Sequence, residues 1–446
     1  MSTEPTTANI LVVSLEFTYS PFSGNGLYCR SLVRSLLRTG GASVAVLCAK
    51  PHRHHSSSNL LSADHHLAPP EISREQADRL HLWPVHLPPN APWKKLDEHG
   101  PWKEFTDGAA KAYGWHTAAT EWGPDVVFAV DWHGGLAWRS IADNVITLDT
   151  PPKVCCFNFR VYSSGLCPSK AEWYDEKERL ALEVASAVVC LSRPDMKCLE
   201  NLLPESSKKA GVGVALIHPA LRGDMHELAE EFHRNESRAL NTLRTSLHPA
   251  AAAALGQVDP DHERRFVACA VRLSREKNPM AFVEVMVRVQ ETMSRLGLIP
   301  LLCGAASDEQ YAKECRDLLL LHYPKAVVIG DFLGPQQLAS IFAHSYVNFH
   351  PCKYDAFGMT AVEASAFGAP SIINCRDVGA TELLERDGFM SVDFDKSLDA
   401  LAMDVTSILS NAKQISAVRE EVYRRAMSWD EDASGQTILR RLKALI

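Results

Sequence analysis

At 446 residues the chain is longer than the roughly 250 to 300 residues at which a single hydrophobic core stops growing, so two domains are expected. Apolar residues make up 46%, as in a globular protein, and a net charge of -8 argues against a nucleic-acid partner that needs a broad basic surface. The chain is polar up to Asn9 and its first apolar run is broken at Glu16, so neither a signal peptide nor a membrane anchor is expected. Many of the twelve cysteines lie in apolar runs such as Val154-Cys155-Cys156-Phe157, which suits reduced thiols and a cytoplasmic location.

Ile10 to Leu15 reads as a buried strand. It leads through Ser23 into Gly24-Asn25-Gly26, after which Cys29, Leu32, Val33, Leu36 and Leu37 recur on one helical face. Strand, glycine loop, helix is the arrangement that cradles phosphate in doubly wound sheets, and it is equally a tight turn into a helix. Ser43 to Cys48 is the next strand. From Pro51 to Trp122 the pattern is irregular, and His52, His54, His55, His65 and His66 read as solvated surface rather than a zinc site. Asp125 to Val130 is a strand that delivers Asp131-Trp132-His133 at its carboxyl end, where open α/β sheets bind ligands; a structural histidine is the other reading. Strands at Lys153 to Asn158, Ala187 to Leu191 and Gly213 to Ile217 follow, and Ser192 with Asp195 marks a capped helix start.

Arg222 to Arg265 is charged and alanine-rich, expected to be helical in pieces and to hold the hinge. Phe266 to Val271 opens a second sheet and runs into Arg272 and Lys277. Two cations five residues apart between a strand and a helix can both reach a diphosphate, Arg272 with a bidentate fork; a basic surface loop is the alternative. Pro300 to Gly304, Ala326 to Gly330 and Ser371 to Asn374 read as further strands, with Leu333 just after the second of them.

The densest stretch is Tyr346 to Glu382. Val347 to His350 is a short buried strand closed by Pro351, and after a loop Met359, Val362, Ala366 and Phe367 share a helical face that stops at Gly368 and Pro370. On one continuous helix Asp355 and Glu363 would sit about 80° and about 12 Å apart, too far to touch one group. With Asp355 in the loop, both can face one ligand. The open amides of Gly358, Met359 and Thr360 would then lie between them, where they suit a phosphate. An ordinary strand-loop-helix turn fits the spacing equally well.

Phe357, Gly358, Glu363, Ala364, Ala366, Gly368 and Pro370 resemble the Glu-x7-Glu signature of retaining glycosyltransferases of the GT-B fold, particularly glycosyltransferase family 4; Asp355 stands where that family carries glutamate. Gly24-Asn25-Gly26 resembles the family's Gly-Gly-Leu-Gly loop, and Asp131-Trp132-His133 the Asp-Trp-His motif of starch and glycogen synthases. Arg272 with Lys277 resembles Gly-Arg-Leu-x-x-x-Lys-Gly. Gly379 and Glu382 are similar to Gly-Gly-x-x-Glu, and Met427-Ser428-Trp429 to a Phe-Ser-Trp segment that starts a helix returning to the first domain.

The resemblance implies an α/β, GT-B architecture of two doubly wound Rossmann-like domains facing across a cleft. Residues 1–220 would form the acceptor-side domain, 221–425 the nucleotide-sugar-binding domain, and 426–446 the returning helix. It implies catalytic roles for His133, Arg272, Lys277 and Asp355. Donor contacts would come from Gly24, Asn25, Gly26, Leu333, Phe357, Gly358, Met359, Thr360 and Glu363, with no metal and no cofactor beyond the co-substrate. The expected activity is transfer of a hexose, with retention, from a nucleotide diphosphate sugar to an unknown glycan or small-molecule acceptor. UDP-glucose is the first donor expected and GDP-mannose the second. An epimerase of the same fold and an inactive glycan or nucleotide-sugar-binding protein are the other readings.

Overall fold

The computed structural model describes residues 8–19, 23–52, 72–93, 95–145, 151–164, 168–256 and 264–443. The chain divides into two compact units, Met1–Ala220 with Glu431–Ile446, and Leu221–Asp430.

The sheet of the first unit contains β1 (Ala8–Ser14), β2 (Ala42–Lys50), β3 (Leu80–His86), β4 (Val126–Val130), β5 (Lys153–Asn158), β6 (Ala187–Cys190) and β7 (Val214–Leu216). They are parallel, in the order β3-β2-β1-β4-β5-β6-β7. Residues such as Leu11, Val13, Val127 and Ala129 are fully buried, as expected of parallel strands covered by helices on both faces. The order reverses between β1 and β4, so the segments after these two strands emerge side by side.

The irregular reading of Pro51 to Trp122 is corrected in part. This stretch contains β3 and a helix, Trp102–Thr120. β3 was hard to see because it is an edge strand, where Pro84 costs no ladder bond on its open side. The helix was hard to see because only Phe105, Ala109 and Tyr113 bury, a thin stripe interrupted by Gly108 and Gly114. Gly108 is required there: a Cβ would lie 2.6 Å from the Val85 side chain of β3. His54, His55, His65 and His66 lie outside the described residues.

The second unit carries β8 (Phe266–Ala270), β9 (Ile299–Cys303), β10 (Val327–Ile329), β11 (Ser345–His350), β12 (Ser371–Asn374) and β13 (Met390–Val392). These strands are also parallel, ordered β10-β9-β8-β11-β12-β13, and the reversal falls between β8 and β11. Between the two sheets in sequence, Gly223–Arg234, Glu236–Thr245 and Pro249–Leu255 are helices.

The helix expected to start at Met427-Ser428-Trp429 starts just after that segment. The segment itself ends the helix Ala412–Met427, and the last helix runs Glu431–Lys443. That last helix packs on Gly24–Arg38 within the first unit. Arg34 Nε reaches Glu431 Oε2 at 2.7 Å, and a Cβ on Gly435 would sit 2.3 Å from the Ser35 carbonyl oxygen. Among the described residues no helix is long and apolar enough to cross a membrane. Among the described residues no two cysteines form a disulfide; Cys375 is exposed, Cys198 half-buried and the rest buried.

Candidate active site

In the first unit, Gly24-Asn25-Gly26 is not a loop before the helix, because the helix Gly24–Arg38 already includes it. Ser23 caps that helix, its hydroxyl accepting from the Asn25 amide at 3.1 Å, while its own amide donates to Glu16 Oε2 at 3.1 Å. Asn25 Nδ2 in turn donates to Asp131 Oδ2 at 2.5 Å and to the Tyr162 hydroxyl at 3.1 Å. The start of this helix is therefore held by Glu16, just after β1, on one side and by Asp131, just after β4, on the other.

Asp131 adopts φ 51°, a left-handed conformation uncommon for any residue but glycine, and its Oδ1 accepts the Phe159 amide at 2.7 Å. His133 sits two residues on, in the first turn of the helix Asp131–Asn144, and is only 2% exposed. Its Nε2 lies 3.2 Å from the Leu96 carbonyl oxygen, which can only accept, so Nε2 carries the proton and Nδ1 keeps a lone pair. Burial pushes the ring down to about 3, so it stays neutral at physiological pH. A neutral imidazole with an acceptor nitrogen can take a hydroxyl proton donor.

In the second unit, adjacency of β8 and β11 brings together two loops far apart in sequence. Ser274 caps a short 3-10 turn, Arg275–Lys277, its hydroxyl accepting the Lys277 amide at 3.4 Å. Three bonds then tie this turn to the loop after β11. Asn278 Nδ2 donates to the Pro351 carbonyl at 3.4 Å, Cys352 Sγ to the Lys277 carbonyl at 3.6 Å, and Lys277 Nζ to Asp355 Oδ2 at 2.7 Å. Arg272 is more open, with Nη2 3.7 Å from Glu276 Oε1. Leu333 lies half-buried after β10, which β9 separates from β8.

The helix Met359–Ala366 begins beside this cluster. Gly358 is its cap residue at φ 87°, no side chain caps the helix, and Phe357 is buried beneath. The amides at Gly358, Met359 and Thr360 are thus placed as a helix N-terminus that a phosphate can occupy.

Among the described residues Asp355 and Glu363 do not share a partner. Asp355 faces Lys277 and His350, whose Nε2 is 3.2 Å from Oδ2, whereas Glu363 Oε1 lies 3.2 Å from Arg222 Nε. Burial raises the Asp355 carboxyl, but Lys277 and His350 outweigh it and hold the group well below the usual carboxylate range. Burial lowers His350, yet Cys352 and Asp355 bring it up to about 10. Burial raises Glu363, opposed by Arg222 and reinforced by Asp224. His350, Cys352 and Asp355 offer ligand atoms within 4.8 Å of one another. An ammonium already meets this cluster, Lys277 Nζ lying 2.7 Å from Asp355 Oδ2.

His350, Arg222 and Asp131 were not singled out from the sequence. Asp131 had a signal, since it opens the motif that ends in His133. Arg222 stands 141 positions before Glu363, and no local pattern connects them.

Residues 254–425, all within the second unit, match the family model described as glycosyl transferases group 1. No curated protein sequence matches the chain. Among solved structures, sucrose-phosphate synthase from Thermosynechococcus elongatus is similar with a TM-score of 0.70 at 16% identity, covering 98% of this chain and 99% of that one. The Anabaena protein HepE in complex with UDP and glucose is similar with a TM-score of 0.60 at 14% identity, covering 98% and 100%. A trehalose-6-phosphate protein from E. coli bound with UDP-2-fluoro glucose gives 0.67 at 12% identity, again over 98% and 100%. The two parallel-sheet, Rossmann-like domains are those of the GT-B glycosyltransferase fold.

Proposed function

We propose that the chain is a nucleotide-sugar glycosyltransferase that moves a hexose with retention of anomeric configuration. The observation that carries this is local to the second unit. An uncapped helix N-terminus at Gly358 stands beside the Lys277–Asp355 pair, inside the region that matches the glycosyl transferases group 1 model. UDP-glucose is the first donor to test, because the similar Anabaena and E. coli structures hold UDP or a UDP-glucose analogue; GDP-mannose is the second.

In this reading the sugar-phosphate bond breaks with charge separation. Arg272, Lys277 and the amides of Gly358, Met359 and Thr360 stabilise the departing diphosphate, where the loss of one preorganised donor costs about 3 to 4 kcal/mol. Asp355 takes a hydroxyl of the transferred sugar and Glu363 the ribose. Leu333 and Phe357 line the nucleotide side. In the first unit, His133 is assigned to a sugar hydroxyl and the Gly24-Asn25-Gly26 turn to the diphosphate. A phosphate oxygen would take the acceptor's proton, and no metal is assigned. The acceptor is a glycan or small molecule, and the cytoplasm is the proposed location.

The test is a thermal-shift screen of nucleotides and nucleotide sugars, followed by assay of diphosphate release and product analysis. A new glycoside of retained configuration supports the reading. A rearranged nucleotide sugar would identify an epimerase instead, and no turnover with any donor would reject transfer.

A further inference from the structure

Two basic side chains converge on a single oxygen of Asp355. Lys277 Nζ is 2.7 Å from Oδ2 and His350 Nε2 is 3.2 Å from that same atom, while no hydrogen bond among the described residues reaches Oδ1. The Nε2 approach is a close charge contact rather than a well-directed hydrogen bond.

His350 itself has little freedom. It closes β11, is buried, and lies under Gly358, where a Cβ would stand 3.3 Å from Nε2; Thr360 Oγ1 is 3.5 Å from Nδ1. The Asp355 backbone is fixed too, its amide donating to the Asp377 carbonyl at 2.9 Å and its carbonyl accepting from Gly379 at 3.1 Å. With main chain and one oxygen both held, the direction of the second oxygen is set.

We propose that His350 is a positioning residue: with Lys277 it holds Oδ2 of Asp355 and so leaves Oδ1 as the acceptor for a hydroxyl of the transferred sugar. The inference rests on the glycosyl-transfer reading. It also gives the short aspartate a physical account. A carboxylate on one methylene fewer cannot reach as far, and orienting it rigidly recovers part of what reach would supply. Lys277 alone would be a poor clamp, because its ammonium is drawn toward the diphosphate as negative charge develops there. The imidazole is anchored in the sheet and keeps its hold throughout.

The experiment compares His350→Leu and His350→Gln in the full-length protein by steady-state transfer kinetics, UDP binding by calorimetry, and melting temperature. His350→Leu should lower kcat on the order of 100-fold, with UDP affinity within about twofold of wild type. His350→Gln, whose amide nitrogen can stand near the Nε2 position, should recover at least tenfold of that loss. A glutamine variant no better than leucine, UDP affinity falling in parallel with kcat, or an undiminished kcat in the leucine variant would each overturn the proposal. A readout independent of turnover covers the case in which His350→Leu does not fold. By NMR the His350 ring should titrate at a clearly lower pH in Asp355→Asn than in wild type, and an unshifted ring refutes the clamp. If wild type transfers no sugar, the reading of function fails, and this titration still decides whether the pair exists.

Discussion

Glu178 is an acid kept where its charge is disfavoured. It accepts the Tyr162 amide at 2.6 Å and the Ser163 hydroxyl at 2.6 Å, yet burial dominates and pushes its carboxyl from 4.5 up to about 7. Between those two values the folded protein retains a proton that the unfolded chain releases, so stability is present below pH 4.5 and declines as pH rises toward about 7. Asp131, pushed by burial up to about 8, acts in the same sense. Melting temperature followed across this window should fall for wild type, and Glu178→Gln should flatten the fall; an unchanged slope would show that the group is already ionised. Lys277 serves two partners. Read from sequence it was a phosphate ligand, but its bond to mostly buried Asp355 makes it a partner as well. Lys277→Ala should therefore lower turnover by about 100- to 1,000-fold in a diphosphate-release assay. It should also lower the melting temperature, since it strips a carboxylate of its strongest counter-charge.

Two glycines in candidate phosphate-binding turns begin helices, and the structure separates their roles. Gly358 has a left-handed backbone, and a Cβ there would meet Val378 Cγ1 at 3.2 Å and His350 Nε2 at 3.3 Å. Among the described residues a Cβ on Gly24 would meet nothing within 4 Å, and Gly24 lies at the first position of its helix. Gly358→Ala should cost about 1 to 2 kcal/mol from backbone strain alone, with further loss from pressing on the imidazole. Gly24→Ala should be neutral or stabilising by about 0.4 to 1 kcal/mol, because it restricts the unfolded chain. Denaturant titration of both variants checks the contrast, and equal effects would show that helix propensity rather than local geometry governs these sites. Burial decides which elements are legible in the sequence. The parallel strands buried on both faces stand out as short apolar runs, as Lys153–Asn158 does for β5. β3 sits at an edge and carries a proline, and β13 has only Met390–Val392, too few residues to show a period.

At the scale of the chain, the C-terminal helix Glu431–Lys443 completes the first unit after the second has been built. Its contact with Gly24–Arg38 is backbone-close at Gly435 and ionic at Glu431, where the carboxylate reaches buried Arg34. Gly435→Val in the full chain has no room beside the Ser35 carbonyl. It should reduce hydrogen-exchange protection across Met1–Ala220 while leaving Leu221–Asp430 protected. Uniform loss in both units would mean that they unfold as one. What the amino-acid order determined by itself was local: two series of parallel strands, most helix starts, and the loops that carry charge and glycine after the strands. Those features depend on residues within a turn or two of one another, so spacing and residue type suffice to read them. Which charge meets which was decided only when the sheets formed. Lys277 and Asp355 are 78 positions apart, and they meet because β8 lies beside β11 in the sheet. Strand order is settled by how whole elements cover one another's apolar faces, and no interval along the chain encodes it.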